Sequence, residues 1–116
     1  MTQLIYDYPA TPRGDTVDAL EITLDDGEGG AVDLTDADIR VQFRECSPTG
    51  CAVKTLDLES GIIINDAVNG VFTVSEFVAD FPKDGTYYFD TQVVLSDGYV
   101  DTPVFGTLVL TADVTR

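Results

Sequence analysis

Between Asn69 and Arg116 the chain alternates strand-sized apolar runs with tight-turn dipeptides, and this ladder constrains the fold more than any other feature. It reads N-G-V-F-T-V, then F-P-K-D-G-T-Y-Y-F-D-T-Q-V-V-L-S-D-G-Y-V, then G-T-L-V-L-T-A-D-V-T-R. Asn-Gly and Asp-Gly accept the positive φ of hairpin turns, so each run is set to double back on the one before it. No catalytic constellation lies within these runs.

The same reading extends over the rest of the chain. Leu4 to Tyr8 is a short apolar-aromatic edge strand, ended by Pro9 and Pro12. Leu20, Ile22 and Leu24 alternate with Ala19, Glu21 and Thr23, the period of a half-buried strand. The residues 25–30 form a glycine-rich turn, and Val32 to Thr35 is short and extended. Ile39, Val41 and Phe43 point inward while Arg40, Gln42 and Arg44 point outward. After a turn at Pro48 and Gly50, Val53 to Leu58 pairs back as a hairpin; Gly61 to Ile64 and Val71 to Val74 form another. Ser75 to Phe81 alone has helical spacing, with Phe77, Val78 and Phe81 on one face and Pro82 as a stop. Thr86 to Leu95 is the longest strand, with Tyr87, Phe89, Val93 and Leu95 on one side. Asp97-Gly98 suits a two-residue type I′ turn, Tyr99 to Val104 returns, Gly106 permits a bulge, and Thr107 to Val114 closes the ladder. The expected fold is all-β: an immunoglobulin-like antiparallel β-sandwich of about seven to nine strands with one short helical turn near 75–81. The chain has no Trp, so the likeness to antibody domains is one of architecture.

A length of 116 residues predicts one β-sandwich domain over 1–116, large enough for a core without metals. The charge is the sharpest compositional fact: 21 Asp and Glu against 6 Lys and Arg, a formal net of -15. Such a surface repels phosphate backbones and anionic lipid, which predicts neither a nucleic-acid nor a membrane partner. No basic-then-apolar leader and no membrane-length run is present, which predicts a soluble protein made in a cytoplasm. With no His, Ser-His-Asp and Cys-His chemistry has no base within the chain. The chain reads as a non-enzyme without a cofactor.

Four groups of residues carry candidate sites. Cys46 and Cys51 flank a turn, where they either form a local disulfide or stay thiols in a reducing cytosol. Two Cys without His do not complete a zinc site. Asp25, Asp26 and Glu28 supply hard oxygens for calcium but lack the order of an EF-hand loop, which favours a solvated turn. Asp33, Asp36 and Asp38 carry the same two readings. Arg13-Gly14-Asp15 matches the integrin tripeptide and is also a plain turn before a strand. Tyr6, Tyr8, Tyr87, Tyr88 and Tyr99 make either a sugar-binding platform or core and interface.

Several phrases in order resemble a known family. They are R-G-D-T (Arg13 to Thr16), V-D-L-T (Val32 to Thr35), I-R-V-Q-F-R (Ile39 to Arg44), N-G-V-F-T-V (Asn69 to Val74), D-G-T-Y-Y-F-D (Asp84 to Asp90) and F-G-T-L-V-L-T-A-D-V-T-R (Phe105 to Arg116). The set resembles small tailed-bacteriophage virion domains and is similar to the amino-terminal attachment domains of phage baseplate and tail proteins. The resemblance implies a structural role in the virion, as a baseplate, tail, fibre-adaptor or head-decoration component. It also implies contact with other virion proteins and no catalytic residues. Edge and outer-face apolar residues are then the expected interface: Leu4, Tyr6 and Tyr8 at the amino end, and Tyr88, Val94 and Tyr99. A homo-oligomer is expected. The alternative is a carbohydrate- or receptor-binding module.

Overall fold

Tyr87, Phe89, Thr91 and Val93 are buried, and the residues between them reach solvent. The alternation marks β10 (Gly85–Val94) in a computed structural model that describes residues 4–25, 29–45 and 50–112. β10 pairs antiparallel with β5 (Asp38–Glu45) on one side and with β11 (Val100–Thr111) on the other. β6 (Ala52–Asp57) adds to β5, antiparallel. At the far edge β1 (Leu4–Ile5) and β2 (Thr11–Pro12) both lie along β11, completing a six-stranded sheet. A second sheet is antiparallel, in the order β4 (Leu20–Thr23), β8 (Val71–Val74), β7 (Ile62–Asp66). β3 (Thr16–Val17) and β9 (Phe77–Val78) form a small third one.

The inward residues of these sheets share one core. Ile39, Val41, Phe43, Phe89 and Leu108 from the six-stranded sheet meet Ile22, Phe72 and Val74 from the three-stranded sheet. Phe43 is the hub: its ring lies 5.1 Å from Phe77, 5.6 Å from Phe89, 5.9 Å from Phe81 and 6.0 Å from Tyr8, centroid to centroid. Tilted aromatic pairs at such spacings add to the area they bury.

Four local readings change. The helical turn expected near 75–81 is replaced by β9, and no helix occurs among the described residues. Phe77, Ala79 and Phe81 are the buried set and Val78 is half exposed, so the true period is two. Pairing with β3, Val17 opposite Phe77, supplies long-range contacts that an isolated turn or two of helix cannot match. The 95–99 hairpin has a three-residue loop. Gly98 N donates to Leu95 O and Leu95 N to Tyr99 O, and Gly98 has φ 90° while Asp97 is absent from the positive-φ residues. That is a type I turn closed by a left-handed glycine, not the type I′ turn expected. The segments either side of Gly106 are one continuous strand, and the bulge lies elsewhere: Gln92 stands opposite both Thr102 and Pro103. Pro103 has no N–H for the ladder, and a bulge is where a strand interior tolerates that. Finally, β1 and β2 run parallel to β11 within an otherwise antiparallel sheet.

The amino-terminal segment is tied down through its backbone. Tyr6 N donates to Phe105 O and Tyr8 N to Thr107 O, each at 2.9 Å. The Asp7 carboxylate accepts from both the Thr107 hydroxyl and its N–H. These bonds deliver Tyr8 into the core, 6% exposed, between Phe43 and Phe89. Its hydroxyl finds no protein partner among the described residues. Burial, reinforced by neighbouring Tyr6, pushes the Tyr8 phenol well above the ordinary tyrosine range. A folded pKa above the unfolded one means a contribution that is intact below pH ~10 and lost as pH rises toward the folded value. Tyr8→Phe removes the unpartnered hydroxyl and keeps the ring. Its unfolding free energy at neutral pH, from urea denaturation, is expected to equal or exceed the wild-type value, by up to about 1 kcal/mol, with a smaller alkaline loss. A drop in neutral-pH stability would show that the hydroxyl is satisfied after all.

Candidate interaction face

The outer face of the six-stranded sheet is built by alternation. With Ile39, Val41 and Phe43 inward, β5 must send Arg40, Gln42 and Arg44 outward; with Tyr87, Phe89 and Val93 inward, β10 sends out Tyr88, Asp90, Gln92 and Val94. On β11 the buried set Val104, Leu108 and Leu110 leaves Phe105, Thr107 and Val109 outside. The ladder register then sets neighbours. Tyr88 lies between Arg44 and Thr107, Asp90 between Gln42 and Phe105, and Val94 between Asp38 and Val100. Ile5 of β1 lies beside Phe105.

Two bands result. One is apolar and runs along β1, β11 and β10: Ile5 is 72% exposed, Val100 54%, Val109 37% and Phe105 36%, with Tyr88 and Val94 half-buried among them. The other is polar and runs along β5. Arg40 Nη2 donates to Gln92 Oε1 at 3.0 Å, Arg44 Nη2 donates to Gln42 Oε1, and Gln42 Nε2 reaches Thr55 Oγ1 at 3.4 Å. Arg44 Nε stands 3.9 Å from Asp90 Oδ2, the long limit of an ion pair, while Lys83 and Glu45 pair at 3.0 Å on the rim. Where the bands meet, a depression of about 220 Å³ is lined by Arg44, Tyr88, Asp90, Thr102 and Phe105 over the backbone of Phe89 and Gly106. Its groups can stack, hydrogen-bond and pair charges.

The expected interface residues fall into separate places. Tyr88 and Val94 sit on this face, and Tyr99 is 55% exposed at the hairpin tip beside it. Leu4 belongs to β1, paired with Val104. Tyr6 is half-buried against the core, and Tyr8 is core, withdrawn from any surface. The same face also exposes Ile5, Phe105 and Val109, which the sequence reading does not single out. The alternation of 104–110 places Phe105 and Val109 outward once Val104, Leu108 and Leu110 are assigned to the core, and Ile5 joins them through its pairing with Phe105.

The other candidate sites are accounted for locally. Tyr8 and Tyr87 are buried, so the tyrosines form no common platform. Arg13 Nε donates to Phe81 O at 2.8 Å and Gly14 N to Ala79 O, which makes Arg13-Gly14-Asp15 a turn held against the segment 79–81 that follows β9. Asp33 Oδ1 accepts from the Thr35 hydroxyl and N–H, and those two bonds hold its carboxyl below the ordinary range. Asp36 has φ 59°, the left-handed conformation of a turn residue. Among the described residues no cluster of His, Cys, Asp or Glu could hold a metal. Asp25 is exposed and bridges to Ala31, while Asp26 and Glu28 lie outside the described residues. Cys51 is an exposed free cysteine, and Cys46, the other member of the disulfide-or-thiol choice, lies outside the described residues. Comparison with known protein families, curated proteins and solved structures finds no match to this chain.

Proposed function

We propose that this chain is a structural component of a tailed-phage virion, an immunoglobulin-like β-sandwich that acts by self-assembly and by contact with other virion proteins. The observation that carries the reading is the composition of the outer sheet face. In a chain with a net charge of -15, this face gathers Tyr88, Phe105, Ile5, Val94, Val109 and two arginines, and its described outward residues include no Lys. Enrichment of aromatic residues and Arg with depletion of Lys is what distinguishes the centre of a protein interface from ordinary surface. The ordered phrases from Arg13 to Arg116 supply the virion context.

Nothing on the face supplies a nucleophile activated by a base, which favours a binding role over a catalytic one. The carbohydrate-binding alternative draws no support from the tyrosines, since those on or beside the face, Tyr88 and Tyr99, stand roughly 20 Å apart by strand rise. Co-expression with the products of the neighbouring reading frames tests the proposal. A stoichiometric complex with a tail, baseplate or capsid protein is expected. Recovery of the chain alone with every neighbour, together with specific binding on a glycan array, would transfer the assignment to the alternative.

A further inference from the structure

We infer that the outer face of the six-stranded sheet docks on the same face of a second copy of this chain, about a twofold axis. The inference rests on the reading of that face as an assembly surface and names its partner.

Three observations select a second copy. The first is charge. Two of the chain's six cations, Arg40 and Arg44, stand on this face together with Asp7, Asp38, Asp57 and Asp90, so it carries both members of an ion pair between copies. Opposite charges on one patch give two molecules of net charge -15 a place to pair. The second is self-complementarity. A twofold interface needs donors and acceptors, and protrusions and depressions, on one patch. Here the arginine band on β5 and the apolar band on β11 and β1 flank β10 on opposite sides. A twofold axis along β10 sets the arginine band of each copy over the apolar band of the other. Gln42 then lies over Phe105 of the other copy, and Arg44 over Thr107 and the Asp7 carboxylate bonded to it.

The third is area. At about 3.3 Å per residue and about 4.8 Å between strands, the strands of this sheet span roughly 600 Å² of mean plane per copy. A face-to-face pair therefore covers roughly 1,200 Å², the lower bound for specific, stable interfaces.

Sedimentation of the purified chain over a wide concentration series tests this, with three charge variants. Phe105→Glu and Arg44→Glu alter the face, and Ile63→Glu alters a more exposed position on the three-stranded sheet. Circular dichroism confirms that each variant is folded. The wild type is expected to dimerise reversibly. Phe105→Glu and Arg44→Glu are each expected to weaken the dimer at least tenfold, and Ile63→Glu to leave it unchanged. A wild type that stays monomeric but still binds a neighbouring gene product through Phe105 would overturn the second-copy assignment and leave the assembly role standing. A monomer that binds none of them would overturn both. A dimer broken by Ile63→Glu and indifferent to Phe105→Glu would move the interface to the other sheet.

Discussion

Phe43→Ala is expected to lower the unfolding free energy by about 3–5 kcal/mol, a large part of what a domain of this size possesses. Phe43 is fully buried, and four aromatic rings from three different parts of the chain lean on it. Phe89 belongs to the same sheet; Phe77 and Phe81 follow the second sheet; Tyr8 comes from the amino-terminal segment. A cavity there cannot close by moving one side chain, because β5 is held by ladders on both sides. Urea unfolding followed by circular dichroism measures the loss. The contrast is Phe105→Ala on the outer face, expected to cost under about 1 kcal/mol, since surface substitutions away from special features change little. Equal costs at the two positions would mean that the inward and outward assignments on β5 and β11 are wrong.

Gly106→Ala is expected to be the second severe substitution, although it adds a single methyl group. A Cβ at Gly106 would lie 1.7 Å from the Tyr6 carbonyl oxygen and 2.6 Å from its carbon, both backbone atoms that cannot rotate away. The amino-terminal segment must then lift off β11. With it go the hydrogen bonds from Tyr6 and Tyr8, and Tyr8 leaves the core. The overlap itself and the exposed ring set a cost of about 2–3 kcal/mol. Hydrogen exchange supplies the specific signature: the Tyr6 and Tyr8 amides lose protection while those of β5 keep it. Gly85→Ala provides the control, because nothing lies within 4 Å of its Cβ and its φ of 130° is the whole cost. If Gly106→Ala melted like the wild type with Tyr6 and Tyr8 still protected, the segment would not lie where it is placed.

The sequence carried the parts of the fold that depend on local period. β5 alternates so cleanly that its inward Ile39, Val41 and Phe43 and outward Arg40, Gln42 and Arg44 are readable directly, and the 62–74 hairpin follows from its Asn-Gly turn. Phe77 to Phe81 was misread because two aromatics four residues apart satisfy a helix as well as a strand. Only the partner, Val17, decides between them. The parallel docking of β1 and β2 on β11 joins residues about a hundred positions apart, and no local pattern encodes it. Gly106 shows the same limit. It reads as a bulge in isolation, whereas its role is to admit the Tyr6 backbone from across the sheet. The candidate face was half legible: outward Tyr88 and Val94 follow from alternation. That Phe105 and Ile5 stand beside them follows from register, which only the assembled sheet supplies.

Side-chain footprinting of the assembled protein tests the central proposal, that the outer face of the six-stranded sheet is the assembly surface. Labelling is compared between dilute chain and the dimer or complex it forms. The account predicts protection at Ile5, Tyr88 and Phe105, with Ile63 and Val68, exposed elsewhere, labelled equally in both states. Protection at Ile63 and Val68, with Phe105 and Tyr88 unchanged, would contradict it.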